Sequence, residues 1–140
     1  MVQPGGTTKP ILIVVGSESD KERIAAAFQV LDEAKVGYVF TVSSAHRSPE
    51  ETAKLAKDAK KNGHKVVIAA AGLAAALPGT IAALTELPVI GLPLDVGPLH
   101  GVDALYSVVQ LPPGCPVATV GIGNAKNAAL LALRILALAK

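Results

Sequence analysis

The chain has 140 residues, a formal net charge of +2 and 51% hydrophobic residues, which suits one domain with a core of its own. No apolar run approaches the ~18 to 20 residues that span a bilayer, and the first ten residues lack the apolar core of a secretory signal. Lys and Arg are dispersed, and two Phe, two Tyr and no Trp leave little for nucleic-acid bases to stack on.

Residues 1–9 read as a flexible leader, with a single domain over 10–140 and the cytoplasm as the default location. Ile11-Leu12-Ile13-Val14-Val15 is a continuous β-branched and Leu run, the pattern of a strand buried on both faces. A helix is predicted from Ser19 to about Lys35, with Ile24, Ala27, Phe28 and Leu31 at helical spacing and Gly37 as its stop. Residues 38–43 give a second strand. Ser48-Pro49-Glu50-Glu51 predicts a helix start, with Ser48 as cap and Pro49 at the first position, and Asn62-Gly63 ends that helix after Lys61.

Lys65 to Ala71 is the third strand. The Ala-rich stretch after Gly72 is broken by Pro78-Gly79 and resumes from Thr80 to Glu86. It reads either as a kinked packing helix or as a backbone loop closing over a flat ligand. Further strands are expected at Pro88 to Leu92 and Val117 to Val120, with helices at Val102 to Val109 and Asn124 to Ala139. Regular alternation of strand and helix predicts a parallel sheet. The expected architecture is α/β, a three-layer α/β/α sandwich whose five strands lie in the flavodoxin-like order 2-1-3-4-5.

Ligands of such sheets bind beyond the carboxyl ends of the strands, near the point where strand order reverses. Two polar segments sit there, Gly16-Ser17-Glu18-Ser19-Asp20 after the first strand and Ser43-Ser44-Ala45-His46-Arg47-Ser48-Pro49 after the second. The first has the glycine, hydroxyls and following helix of a phosphate or ribose site. On local sequence alone, a Ser capping a helix is the favoured reading. In the second, Arg47 can grip a phosphate bidentately and His46 can carry a proton at neutral pH. Cys115 has no partner for a disulfide, and three scattered histidines make no metal-ligand spacing. The abundance of Ala, Val, Leu and Gly favours burial against copies of the chain, hence a homo-oligomer.

Taken in order, GSESD, SAHRSP, AGLAAALPG and GVDALYSVVQLPPGCPVATVGI resemble the N5-carboxyaminoimidazole ribonucleotide mutases of purine biosynthesis, over residues 10–139. That resemblance implies an isomerase that moves a carboxylate from the exocyclic nitrogen of an aminoimidazole ribonucleotide to ring carbon 4. It also implies a homo-octamer and no metal or organic cofactor. Nucleic acid and membranes are not expected partners. Residues matching Ser17, Asp20, Ser44 and Arg47 hold the phosphate and ribose, and the one matching His46 carries the proton. Gly16, Ser19, Ala45, Ala71, Gly72, Leu73 and Ala76 complete the expected substrate site.

The chain departs from the family at Ala76, where relatives read His, and alanine can neither donate a hydrogen bond nor shuttle a proton. The further C-terminal helical tail of relatives is also absent from the match. An alternative reading is therefore an inactive self-assembling scaffold on the same fold, natural or engineered. A carboxylase acting directly on CO2 is a third reading. A two-component phospho-receiver is disfavoured, because Gly16-Ser17 stands where its acidic cluster would be.

Overall fold

The computed structural model describes residues 8–139; of the leader expected over residues 1–9, residues 1–7 lie outside them. Five strands, β1 (Ile11–Val15), β2 (Tyr38–Val42), β3 (Val66–Ala71), β4 (Val89–Pro93) and β5 (Ala118–Thr119), form one parallel sheet in the order β2-β1-β3-β4-β5. The helices are α1 (Asp20–Arg23), α2 (Ala25–Glu33), α3 (Pro49–Asp58), α4 (Leu77–Leu84), α5 (Val102–Val109) and α6 (Ala125–Leu138). The expected sandwich and strand order are what the chain adopts.

Side-chain alternation along the strands splits the core in two. Ile11, Ile13, Val15, Ile68 and Ile90 face Ala27 and Leu31 of α2 and Ala128, Ala129 and Ala132 of α6. Leu12, Val14, Val67 and Ala69 face Ala56 of α3, Ile81 of α4 and Ala104 and Val108 of α5. Both faces of β1 and β3 are covered, which is why those strands read as unbroken apolar runs. Gly91 lets β4 approach α5: a Cβ there would sit 2.3 Å from Val108 Cγ1. Each fully buried Ile or Leu contributes about 1.5–3 kcal/mol, so these two layers hold the sheet flat against its helices.

Four local expectations change. The first long helix breaks at Ile24 (φ −108°, ψ 16°), whose fully buried side chain is drawn into the core between α1 and α2. Its stop is Lys35 rather than Gly37. Lys35 takes the left-handed conformation (φ 57°), and the Val36 amide returns to the Leu31 carbonyl at 3.1 Å. That is the hydrogen bonding of a Schellman turn. Gly37 serves a close approach instead, since a Cβ there would meet the Thr8 carbonyl at 2.6 Å.

Ser48 precedes α3 but makes no side-chain cap bond, while Pro49 does open the helix. Finally, Pro78 and Gly79 do not interrupt a helix: α4 begins at Leu77 and Pro78 lies in its first turn, where a missing amide costs nothing. The segment before it, from Gly72 to Ala76, is a loop.

β1 lies between β2 and β3, with Val15 opposite both Val42 and Ala70. The chain moves from β1 to one neighbour and then crosses to the other, so strand order reverses here. The segments following β1, β2 and β3 emerge side by side around that crevice.

Candidate functional site

After β1 the chain turns through Gly16 to Ser19. The Asp20 amide donates to the Ser17 carbonyl at 3.0 Å, and the Ser17 and Ser19 hydroxyls stand 3.1 Å apart. Ser19 precedes α1 without a side-chain cap bond, so neither hydroxyl is spent on the helix end.

The segment after β2 is anchored at its root and raised at its tip. The Ser43 amide donates to the Val15 carbonyl at 2.8 Å, and its hydroxyl lies 2.6 Å from Thr52 Oγ1, both side chains being buried. Above this pair the Arg47 amide donates to Ser44 Oγ (3.1 Å) and the Ser48 amide to the Ser44 carbonyl (2.8 Å). The resulting turn presents His46 and Arg47. Arg47 then reaches across the crevice and donates from Nη2 to the Gly16 carbonyl at 2.9 Å.

The third wall follows β3. Gly72 packs so tightly that a Cβ would lie 2.6 Å from Val96 Cγ2. Leu73 is left-handed (φ 56°), and half of its side chain is exposed. The Ala76 amide donates to the Ala74 carbonyl at 2.8 Å, closing the turn ahead of α4.

The three walls enclose a cavity of about 550 Å³. Gly16, Ser17, Ser19 and Asp20 line it from the first loop and Ser44, Ala45, His46 and Arg47 from the second. Ala71, Gly72, Leu73 and Ala76 line it from the third. Every site residue expected from the sequence therefore falls on one cavity. A second cavity of about 440 Å³ opens behind His46, Ala74 and Ala76 and continues to Thr80, Ser107 and Cys115.

The cavity is polar on the side of the first two loops and apolar on the third, where Leu73, Ala74, Ala75 and Val96 lie. Asp20 is almost fully buried at its floor. Burial raises its carboxyl above the ordinary carboxylate value; Arg23, a hydrogen bond from the Ser17 backbone and Arg47 oppose that rise. Guanidinium, hydroxyls and an imidazole on one wall, facing an apolar surface on the other, can take an anionic head joined to a planar ring. Among the described residues no three His, Cys, Asp or Glu side chains gather as a metal site, and no helix is long and apolar enough to cross a membrane.

Sequence reasoning missed Arg23, Ala74, Ala75, Leu77 and Val96 on this cavity. Arg23 carried a signal, being three residues beyond Asp20 and thus on the same helical face. Val96 carried none, because only the docking of the loop after β4 brings it here.

The AIR carboxylase family profile matches residues 10–140. The N5-carboxyaminoimidazole ribonucleotide mutase of Pyrococcus horikoshii is 55% identical over 129 residues, spanning 91% of this chain and 73% of that protein. Its namesake in Synechocystis sp. is 54% identical over 125 residues, 89% of this chain and 71% of that protein. The crystal structure of Treponema denticola PurE superposes with a TM-score of 0.83 at 30% identity, covering 93% of this chain and 81% of its own. On sequence and fold together, the chain belongs to the AIR carboxylase family.

Proposed function

We propose that this chain is an N5-carboxyaminoimidazole ribonucleotide mutase, an isomerase of purine biosynthesis. One observation carries the reading. The cavity brings His46, Arg47, Asp20 and the paired hydroxyls of Ser17 and Ser19 together, in a chain 55% identical to a protein of that name. Ser17, Ser44 and Arg47 hold the phosphate and ribose with Asp20, and the backbone of Gly16 and Ala45 leaves room for them. Ala71, Gly72, Leu73 and Ala76 cover the imidazole ring.

In the proposed reaction His46, as imidazolium, gives a proton to the exocyclic nitrogen as its bond to the carboxylate breaks. The carboxylate leaves as CO2 and stays enclosed. Ring carbon 4 then forms a new bond to that carbon, and the neutral His46 removes the ring proton. Atoms and charge balance, and His46 returns to its starting state. One imidazole serves both steps because the proton it gives in the first is replaced by the proton it takes in the second.

Assembly and location belong to the same proposal. Val102, Tyr106 and Val109 are exposed by 44%, 62% and 49% and share one side of α5, a surface suited to burial in a homo-oligomer. A phosphorylated ribonucleotide cannot cross a bilayer unaided, so the enzyme works in the cytoplasm where its substrate is made.

The test is an assay of N5-carboxyaminoimidazole ribonucleotide conversion, beside Ala76→His and with light scattering on both proteins. Turnover by the parent chain is expected, and a faster Ala76→His variant. Ligand binding with turnover only in Ala76→His would mark the parent as an inactive scaffold. Neither binding nor turnover in either protein would overturn the reading.

A further inference from the structure

Arg23 closes α1 just before the break at Ile24, and it lines the same cavity as Ser17, Ser19 and Arg47. Its Nε lies 3.4 Å from Asp20 Oδ1, and its side chain stays 43% exposed while that of Asp20 is 9% exposed. Asp20 is its only ion-pair partner among the described residues. One edge of the guanidinium is thus turned to the cavity floor, and the two terminal nitrogens remain for a ligand.

The charges in this cavity need a second cation. A phosphate monoester brings about two negative charges at neutral pH, and Asp20 supplies a carboxylate on the same floor. Arg47, already donating to the Gly16 carbonyl, cannot balance them alone. Arg23, Arg47 and Asp20 line the one cavity, with Arg23 in direct contact with the Asp20 carboxylate.

We propose that Arg23 is a second phosphate-binding guanidinium, acting beside Arg47 in the same cavity, and that it sets the preference of this cavity for phosphorylated over unphosphorylated ribosides. The proposal rests on reading the cavity as a ribonucleotide site. It gives Arg23 a role distinct from merely steadying Asp20. A steadying role would be felt by any riboside, whereas a phosphate contact is felt only by the phosphorylated one.

The experiment is a thermodynamic cycle by titration calorimetry, using 4-carboxy-5-aminoimidazole ribonucleotide and the matching ribonucleoside against the parent chain, Arg23→Gln and Arg23→Lys. Arg23→Gln is expected to weaken the ribonucleotide about tenfold and the ribonucleoside less than twofold, a gap typical of one charge-assisted contact. Arg23→Lys keeps the charge but not the fork, so its loss falls between. The tenfold loss shrinks as salt is raised.

Equal weakening of both ligands, or no weakening of either, overturns the proposal while leaving the ribonucleotide reading intact. Failure of the parent chain to bind the ribonucleotide overturns both. Melting curves accompany each titration; if Arg23→Gln proves unfolded, Arg23→Lys against the parent decides by the same comparison.

Discussion

Arg47 Nη2 donates to the Gly16 carbonyl at 2.9 Å, tying the loop after β2 to the loop after β1. The bond joins residues 31 positions apart and makes one wall of two segments that share no local structure. It also holds the guanidinium over the cavity, so Arg47 positions itself before any ligand arrives. Lysine keeps the charge but lacks the rigid planar fork that serves the carbonyl from one nitrogen and a phosphate bidentately from the others. Arg47→Lys is expected to raise KM for the ribonucleotide by about 10- to 100-fold, with a smaller change in kcat. Equal kinetics in steady-state assays would remove Arg47 from the site.

His46 sits on the shared edge of both cavities and carries the proposed proton transfers. His46→Asn preserves a hydrogen-bonding side chain but cannot be protonated at neutral pH. A fall in kcat of about 10²- to 10⁴-fold is expected, with ribonucleotide affinity nearly unchanged. Calorimetry alongside turnover separates the two effects. Near-parental turnover would show that another group moves the proton.

Burial raises the Asp20 carboxyl above its unfolded value. The native state therefore binds this proton more tightly than the unfolded chain does. The associated stability is fully present below the unfolded pKa and is lost as pH rises through the native one. Asp20→Asn escapes that loss. Relative to the parent, the variant is expected to gain stability as pH rises from about 3 to 6. Urea midpoints across that range give the comparison, and a constant difference would contradict it.

Leu73 carries left-handed strain at the mouth of the cavity (φ 56°). A non-glycine residue there costs about 1–2 kcal/mol, part of which glycine returns as unfolded-state entropy. Leu73→Gly is expected to stabilise the chain by about 0.5–1 kcal/mol while weakening ligand binding through lost apolar cover. A lower melting temperature in calorimetry would show that packing of Leu73 outweighs its strain.

The Ser43–Thr52 hydroxyl pair, 2.6 Å apart and buried, anchors the root of the His46-Arg47 turn. Thr52→Val leaves the Ser43 hydroxyl unpaired and is expected to cost about 1–3 kcal/mol. Adding Ser43→Ala removes the orphan and recovers most of that loss. A double variant no more stable than Thr52→Val in urea melts would place the cost elsewhere.

The amino-acid sequence by itself determined the order of strands and helices, the parallel sheet and the loops that bear chemistry. Those follow from local periodicity: Ile11–Val15 and Val66–Ala71 are apolar at every position because both faces are covered. All the expected site residues, from Gly16 to Ala76, meet on one cavity, because strand ends at a reversal of sheet order must lie side by side.

Tertiary structure decided the rest. Ile24 breaks a helix that its neighbours would continue, because the core claims its side chain. Lys35 and Leu73 are left-handed although glycines stand two and one positions away, because Gly37 and Gly72 are used for close approach instead. Arg23 joins the cavity through the short turn of α1 and its pairing with Asp20. Such outcomes depend on which surfaces meet at short range, and a pattern of residue types along the chain does not contain those distances.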